Sequence, residues 1–218
     1  MNKENRIIQT NSDKEKEVEE YELVLEKQNE QNKIERFKKS GVPERFWNES
    51  FNTFYPRNSD EEKKLEAAKK YSQVKTDIVL LFTGNVGTGK THLGSAIIRN
   101  CGGKFISIEE LIFKYESAQD FHAKTNREEL MESYANTEML VIDEIGRSMQ
   151  QEKENALLNY ILRRRYENML PTVLISNLSK ADLLKKLGEA VLDRLRETCI
   201  SLEFEGESYR ISIRDVNL

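Results

Sequence analysis

The chain has 218 residues and 25.5 kDa, one full domain plus an appendage at roughly 100–200 residues per domain. Charged residues make up 33% against 38% hydrophobic, the mean hydropathy is -0.69, no apolar run approaches the roughly 18–20 residues of a membrane span, and the N-terminal MNKENRIIQTNSDKEKE holds no signal-peptide core; a membrane-spanning or exported protein is excluded, and a cytoplasmic one is expected. A net charge of -4 with a pI near 5.5 argues against a broad nonspecific nucleic-acid coat and leaves room for a local basic site.

Residues 1–40 are nearly half charged, lack Gly and Pro, and space Val18, Tyr21, Leu25, Ile34 and Phe37 at helix-like intervals. So few apolar groups do not fold alone, because ordering costs about 1–2 kcal/mol of backbone entropy per residue. Two readings stand: a solvated charged tail, or a short helical arm whose apolar stripe a partner completes. Gly41 and Pro43 break the helix. Residues 41–58 then form an aromatic-rich linker, with Phe46, Trp47, Phe51, Phe54 and Tyr55, expected to pack on the following domain of 59–218. Ser59 followed by Glu62 reads as a capping box opening a helix to about Tyr71, with Leu65 and Ala68 inward.

From there strands and helices alternate. Strands are expected at Ile78 to Thr83, Lys104 to Ile108, Met139 to Ile142 and Thr172 to Ser176. Helices are expected near Lys90 to Arg99, Ile108 to Glu116, Arg127 to Tyr134 and Lys153 to Tyr166. Unbroken apolar strands such as IVLLF and MLVI suit a sheet covered on both faces, so the class is α/β with a parallel sheet flanked by helices. Cys101 and Cys199 stand apart with no CxxC or nearby His, which argues against a disulfide or zinc site and reads as two core thiols. His92 and His122 have no ligand partner at i+4 and carry no metal reading.

The strongest signal is Gly84-Asn85-Val86-Gly87-Thr88-Gly89-Lys90-Thr91, a GxxxxGK[ST] run between an expected strand and an expected helix. Its backbone amides and the following helix dipole suit phosphates, Lys90 reaches the β/γ-phosphates of ATP, and the Thr91 hydroxyl ligates Mg²⁺. The plain alternative is a glycine turn. Asp143-Glu144 ends the MLVI strand, where ligands gather in open α/β sheets; by itself such a pair also serves as a helix cap. About fifty residues after a P-loop it reads as a Walker B, with Asp143 on Mg²⁺ and Glu144 on the attacking water. Asn177, at the tip of the TVLIS strand, either senses the γ-phosphate or caps a turn. Arg194 ends a helical stretch and Arg210 is placed on a short C-terminal strand; either also reads as a solvated charge, as does Arg163-Arg164-Arg165, of which at most one faces the core.

Taken together, GNVGTGKT, LVIDEIG, VLISNLS, LGEAVLDRLR, ESYR and the upstream GVPERFWNESFNTF resemble the AAA+ ATPases of DnaC/DnaI-type helicase loaders, close to IstB-like transposition ATPases, over about residues 41–218. The resemblance implies an AAA+ core without a C-terminal lid domain, Asn177 as sensor 1, Arg194 as a finger acting in trans and Arg210 as sensor 2. It further implies a slow, partner- or DNA-stimulated ATPase that binds a hexameric replicative helicase, self-associates head to tail with ATP, and places the helicase on single-stranded DNA with hydrolysis as switch. An IstB-like DNA-binding transposition helper is the alternative. A small-molecule kinase and a non-hydrolysing adaptor are more distant rivals, the kinase disfavoured because the Asp143-Glu144 pair and Asn177 point to water as acceptor. The arm lacks the cysteines some loaders carry there, and Arg147–Lys153 offers no aromatic for DNA. Phe113, Lys114, Tyr115, Phe121 and Lys124 interleave aromatic and basic groups but sit among Glu110, Glu116 and Asp120, which fits either a single-strand contact or a packed amphipathic helix.

Overall fold

The computed structural model describes residues 21–210 apart from 22, 26, 75 and 119–124. The chain divides into two units, Met1–Arg36 and Phe37–Leu218. In the first, residues 27–36 are helical and exposed, and Leu23, Val24, Leu25 and Ile34 face solvent. Val18, Phe121, His122 and Lys124 lie outside the described residues.

The second unit is built on five strands, β1 Val79–Gly84, β2 Lys104–Ser107, β3 Leu140–Asp143, β4 Thr172–Ile175 and β5 Cys199–Phe204. They pair in the order β2-β3-β4-β1-β5, parallel throughout. Among the described residues seven α-helices accompany them: α1 Ser59–Tyr71, α2 Lys90–Cys101, α3 Ile108–Ser117, α4 Arg127–Ala135, α5 Gln151–Glu167, α6 Lys180–Lys186 and α7 Glu189–Thr198. Because successive strand side chains point to opposite faces, Leu81, Ile106, Ile142 and Leu174 join one apolar cluster with α3, α4, α5 and α7. Leu80, Phe82, Val141 and Val173 join a second with α1, α2 and the linker. Each such side chain contributes roughly 1.5–3 kcal/mol through burial, and the two clusters hold the strand ends, hence the site, in register.

Several expectations need correction. Asn58 caps α1: its backbone is extended and its Oδ1 accepts from the N–H groups of Asp60 and Glu61 at 3.1 and 2.9 Å, which makes Ser59 the first helical residue. Strand β5 escapes the sequence pattern because it is an edge strand, mostly half-exposed and carrying Glu203. Ser208-Tyr209-Arg210 is not a strand: residues 209–210 are helical, with the Ser208 hydroxyl accepting from the Arg210 N–H at 3.2 Å. Both thiols are free and half-buried rather than core. One arginine of the 163–165 run is no solvated charge. Arg165 is 1% exposed and donates to the carbonyls of Tyr134, Ala135, Thr137 and Pro171 and to Thr172 Oγ1. Burial pushes its guanidinium down to about 10, and the five acceptors make that burial tolerable.

Residues 41–58 lie along this unit as a strap with two short 3-10 turns, Glu44–Phe46 and Phe51–Thr53. Val42 and Phe54 are buried and Phe46, Trp47 and Phe51 pack partly, while Tyr55 is exposed. His92 on α2 meets the strap: one ring nitrogen contacts the Ser50 carbonyl at 2.8 Å, the other Glu49 at 3.0 Å. Between β2 and β3, α3 buries Ile108, Leu111 and Ile112, the packed amphipathic helix of the two sequence readings. Of its interleaved residues Phe113 is exposed, Lys114 pairs with Glu110 at 2.7 Å, and Tyr115 lies under Arg127.

Candidate functional site

The Gly84–Thr91 run turns from the end of β1 into α2. Gly89 is the N-cap of α2 at φ 92, and a Cβ there would come within 2.5 Å of the Phe54 ring, so the strap packs directly against the turn. Side chains of Asn58, Ser107, Asn126 and Ser179 cap α1, α3, α4 and α6; no side chain caps α2, α5 or α7, and of these three only α2 has no acidic residue in its first turn. That leaves first-turn N–H groups and the positive end of the helix dipole for an anion. Lys90, buried, donates to the carbonyls of Gly84 and Asn85 at 2.9 and 2.5 Å. Burial pushes its ammonium down to about 8, with Asp143 opposing and Arg210 reinforcing. Thr88 closes the turn through its hydroxyl to Asn85 O at 2.8 Å, and Val86 at the tip is exposed.

Beside it, the Thr91 hydroxyl donates to Asp143 Oδ2 at 2.8 Å. Burial pushes the Asp143 carboxyl up to about 6, against hydrogen bonds from Thr91 and from the Glu144 N–H. Glu144 has φ 63, and its N–H donates to Asp143 Oδ1 at 2.7 Å; left-handed backbone at a non-glycine residue is a strain that surrounding structure must hold. Two neighbouring bonds do so: the Ile145 N–H donates to Ile175 O at 2.9 Å, and the Ile145 carbonyl accepts from Ser176 Oγ at 2.8 Å. The same Ser176 donates its N–H to Phe82 O, and Gly84 donates to Leu178 O. Asn177, half-buried, is thereby fixed between the P-loop and the loop after β3.

Arg210 lines a cavity of about 260 Å³ with Thr91, Asp143, Glu144, Ser107 and Arg45. The residues before it are latched down. The Tyr209 N–H donates to Gly87 O at 2.9 Å, and its hydroxyl lies 2.7 Å from Glu61 Oε2 and 3.0 Å from Tyr55 O. Arg57 stacks 3.8 Å from the Tyr209 ring centroid and pairs with Glu61 at 2.8 Å. Burial and the Glu61 hydrogen bond push the Tyr209 phenol up to about 12. The sequence reading passed over Tyr209, Arg57 and Arg45; only the i,i+4 spacing of Arg57 and Glu61 offered a local signal. Arg194 does not line this cavity; it is half-buried on α7, and its Nε is buried without a hydrogen-bond partner.

A family model described as IstB-like ATP binding protein matches residues 4–216. The chain belongs to this family. The replicative helicase loader DnaC of Escherichia coli K12 is 30% identical over 195 residues, 86% of this chain and 80% of the relative. DnaC of Buchnera aphidicola from Schizaphis graminum is 30% identical over 184 residues, 81% and 75% respectively. Among solved structures, the DnaC helicase loader superposes with a TM-score of 0.65 at 25% identity, covering 75% of this chain and 100% of that one. The DnaI structure, at 0.63 and 19% identity over 75% and 94%, shares the fold. The second unit is thus an AAA+ core. For a member of an ATP-binding family, the uncapped α2 terminus with Lys90 fits a polyphosphate, and the hydroxyl and carboxylate oxygens of Thr91 and Asp143 are the hard donors Mg²⁺ takes. Among the described residues no helix is long and apolar enough to cross a membrane.

Proposed function

We propose that this protein is an ATP-hydrolysing loader that binds a hexameric replicative helicase in the cytoplasm and places it on single-stranded DNA. The observation that carries the reading is the convergence of Thr91, Asp143, Glu144 and Arg210 on one cavity, with Lys90 near enough to interact with the charges of Asp143 and Arg210, in a chain 30% identical to a helicase loader over 80% of that protein's length. Lys90 and the amides of residues 84–91 bind the phosphates, and Thr91 and Asp143 hold Mg²⁺, which supplies charge neutralisation at the β/γ-phosphate oxygens. Glu144 accepts the proton of the attacking water, and Asn177 orients that water against the γ-phosphate. Arg210 answers charge developing on the transferred group within its own subunit. Arg194 stands apart from that cavity and does the same for a neighbouring subunit, in a head-to-tail interface that leaves an open spiral. Hydrolysis then acts as the switch that releases the helicase, which residues 1–40 capture.

The test is retention of the purified helicase by the full chain and by a chain lacking residues 1–36, which leaves Phe37 and Ser40 in the second unit, each in ATP and in ADP with labelled single-stranded DNA. Helicase and DNA retained together in ATP by the full chain, and lost with the arm while ATP binding stays, is the expected result. The family description, IstB-like ATP binding protein, favours one second reading, a transposition helper. Assembly on duplex DNA with no helicase retained would select it and sink the loader.

A further inference from the structure

Arg45 lies in the GVPERFWNESFNTF stretch with no site role assigned to it, yet it lines the cavity with Thr91, Asp143, Glu144, Ser107 and Arg210. No glycine of the P-loop lines this cavity, so it lies at the far end of the phosphate row, beyond the loop and on the side of the two carboxylates. Several arginines of this unit are committed: Arg57 to Glu61, Arg164 to Glu132, Arg99 and Arg165 to backbone carbonyls. Outside this cavity Arg147 and Arg194 are not; within it, Arg45 and Arg210 are not. Among the described residues neither comes within ion-pair distance of a carboxylate, although Asp143 and Glu144 share their cavity, and the close contact of the Arg45 guanidinium is the Phe46 ring at 4.9 Å. Glu110, the third carboxylate of the lining, pairs with Lys114 at 2.7 Å, so two arginines and the two remaining carboxylates share the cavity without ion-pair contact and leave a gap that a polyanion and a divalent cation together would neutralise.

The backbone under Arg45 is held on both sides. The Phe105 N–H of β2 donates to Ser40 O at 2.8 Å. Gly41 follows at φ 95, where a Cβ would sit 2.2 Å from Phe105 O, so only glycine lets the strap lie this close to the strand. After the turn, Trp47 Nε1 donates to Val42 O at 3.0 Å, and Arg99 donates to the carbonyls of Glu49 and Trp47. The Arg45 guanidinium therefore moves through its own side-chain torsions over a fixed base.

We propose that Arg45 binds the terminal phosphate of the nucleoside triphosphate in cis, so that the strap tells ATP from ADP. The proposal rests on the nucleotide reading of the cleft. A guanidinium at this position meets only the phosphate that ADP lacks, whereas Lys90 and the P-loop amides also meet the β-phosphate that both nucleotides share.

The experiment measures equilibrium affinities of the full-length protein for ADP and for a non-hydrolysable ATP analogue by competition with a fluorescent nucleotide. It compares wild type, Arg45→Ala, Arg45→Lys and Lys90→Ala, with thermal melting of each. Arg45→Ala is expected to weaken the ATP analogue about 10-fold and ADP less than about 2-fold, with Arg45→Lys recovering part of the loss through its retained charge. Lys90→Ala loses both nucleotides. An unchanged ratio of the two affinities in Arg45→Ala overturns the proposal, including the case in which single-stranded DNA binding weakens instead and assigns Arg45 to DNA phosphates. A wild type that binds neither nucleotide brings down the reading of the cleft itself, and Arg45 with it; a wild type that binds both while Arg45→Ala matches it brings down Arg45 alone.

Discussion

On one side of the cleft the polar groups leave the C-terminal ends of β1, β3 and β4, strands buried along their whole length. On the other they hang from two segments outside the sheet, the strap 41–58 and the stretch 205–210, held by side-chain bonds such as Arg99 to Glu49 O and Tyr209 to Glu61. The first side is fixed by apolar burial of tens of side-chain groups. The second is fixed by a handful of hydrogen bonds, each contributing about 1 kcal/mol net, and by the burial of a few side chains such as Val42 and Phe54. Substitutions on the sheet side should therefore change chemistry with geometry intact, and substitutions on the strap side should change geometry first.

Under the proposed function, the largest effects belong to the groups assigned to charge that develops only in the transition state. Arg194→Ala is expected to bind ATP normally and lose turnover by about 10³-fold or more, and Glu144→Gln to bind normally and lose about 10²–10⁴-fold. Lys90→Ala loses binding itself. Mixing Arg194→Ala with Lys90→Ala restores part of the phosphate release, because the intact pocket of one meets the intact arginine of the other; Glu144→Gln mixed with Arg194→Ala leaves the Arg194→Ala pockets able to receive an intact arginine as well. Lys90→Ala with Glu144→Gln, both pocket defects, restores nothing. Phosphate release across mixing ratios, with helicase and DNA present, reads all three, and absence of recovery in proven mixed assemblies would put Arg194 in its own subunit.

The same contrast explains what the sequence disclosed. Residues 84–91 are contiguous and Asp143-Glu144 closes an apolar strand, so their pattern is local and visible. Tyr209 bonds Tyr55 across 154 positions, and Arg45 shares a cavity with Asp143 and Glu144 about a hundred residues away, neighbourhoods that only the folded chain creates. Arg165 was hidden for a different reason: a charged residue on a helix reads as solvated unless its acceptors, here carbonyls at the C-terminal end of α4 and before β4, are known. Strand β5 was hidden by its edge position, where one uncovered side removes the apolar run that marks a buried strand.

Tyr209→Phe sharpens the strap side. The ring stays to stack under Arg57 and near Phe54, and only the bonds of the hydroxyl to Glu61 and Tyr55 are lost. Stability should fall by about 1–2 kcal/mol. Turnover at saturating ATP should fall by about 3- to 10-fold with nucleotide affinity unchanged, since Arg210 is the next residue and depends on this latch for its place. Urea unfolding with parallel turnover checks both, and a stability loss with full turnover would separate Arg210 from the latch.

The smallest effect tests whether the sheet side hides a support of the strap kind. Glu154 on α5 is fully buried; its Oε1 accepts the Gly146 N–H at 2.5 Å, two residues past Glu144, and its Oε2 has no hydrogen-bond partner. Burial pushes this carboxyl above its ordinary value. A native carboxyl with a raised pKa binds its proton more tightly than the unfolded chain does, so the ionised group weakens the fold at neutral pH, and that penalty fades as pH falls through the native pKa. Glu154→Gln keeps an acceptor for Gly146 and cannot ionise. Wild type should accordingly gain stability relative to Glu154→Gln as pH is lowered from about 7.5 to about 5.5, by on the order of 1 kcal/mol or less, read from urea midpoints at each pH. A difference that stays constant across the range would mean that native Glu154 remains ionised throughout it, and the loop carrying Glu144 would then rest on a charge-assisted hydrogen bond.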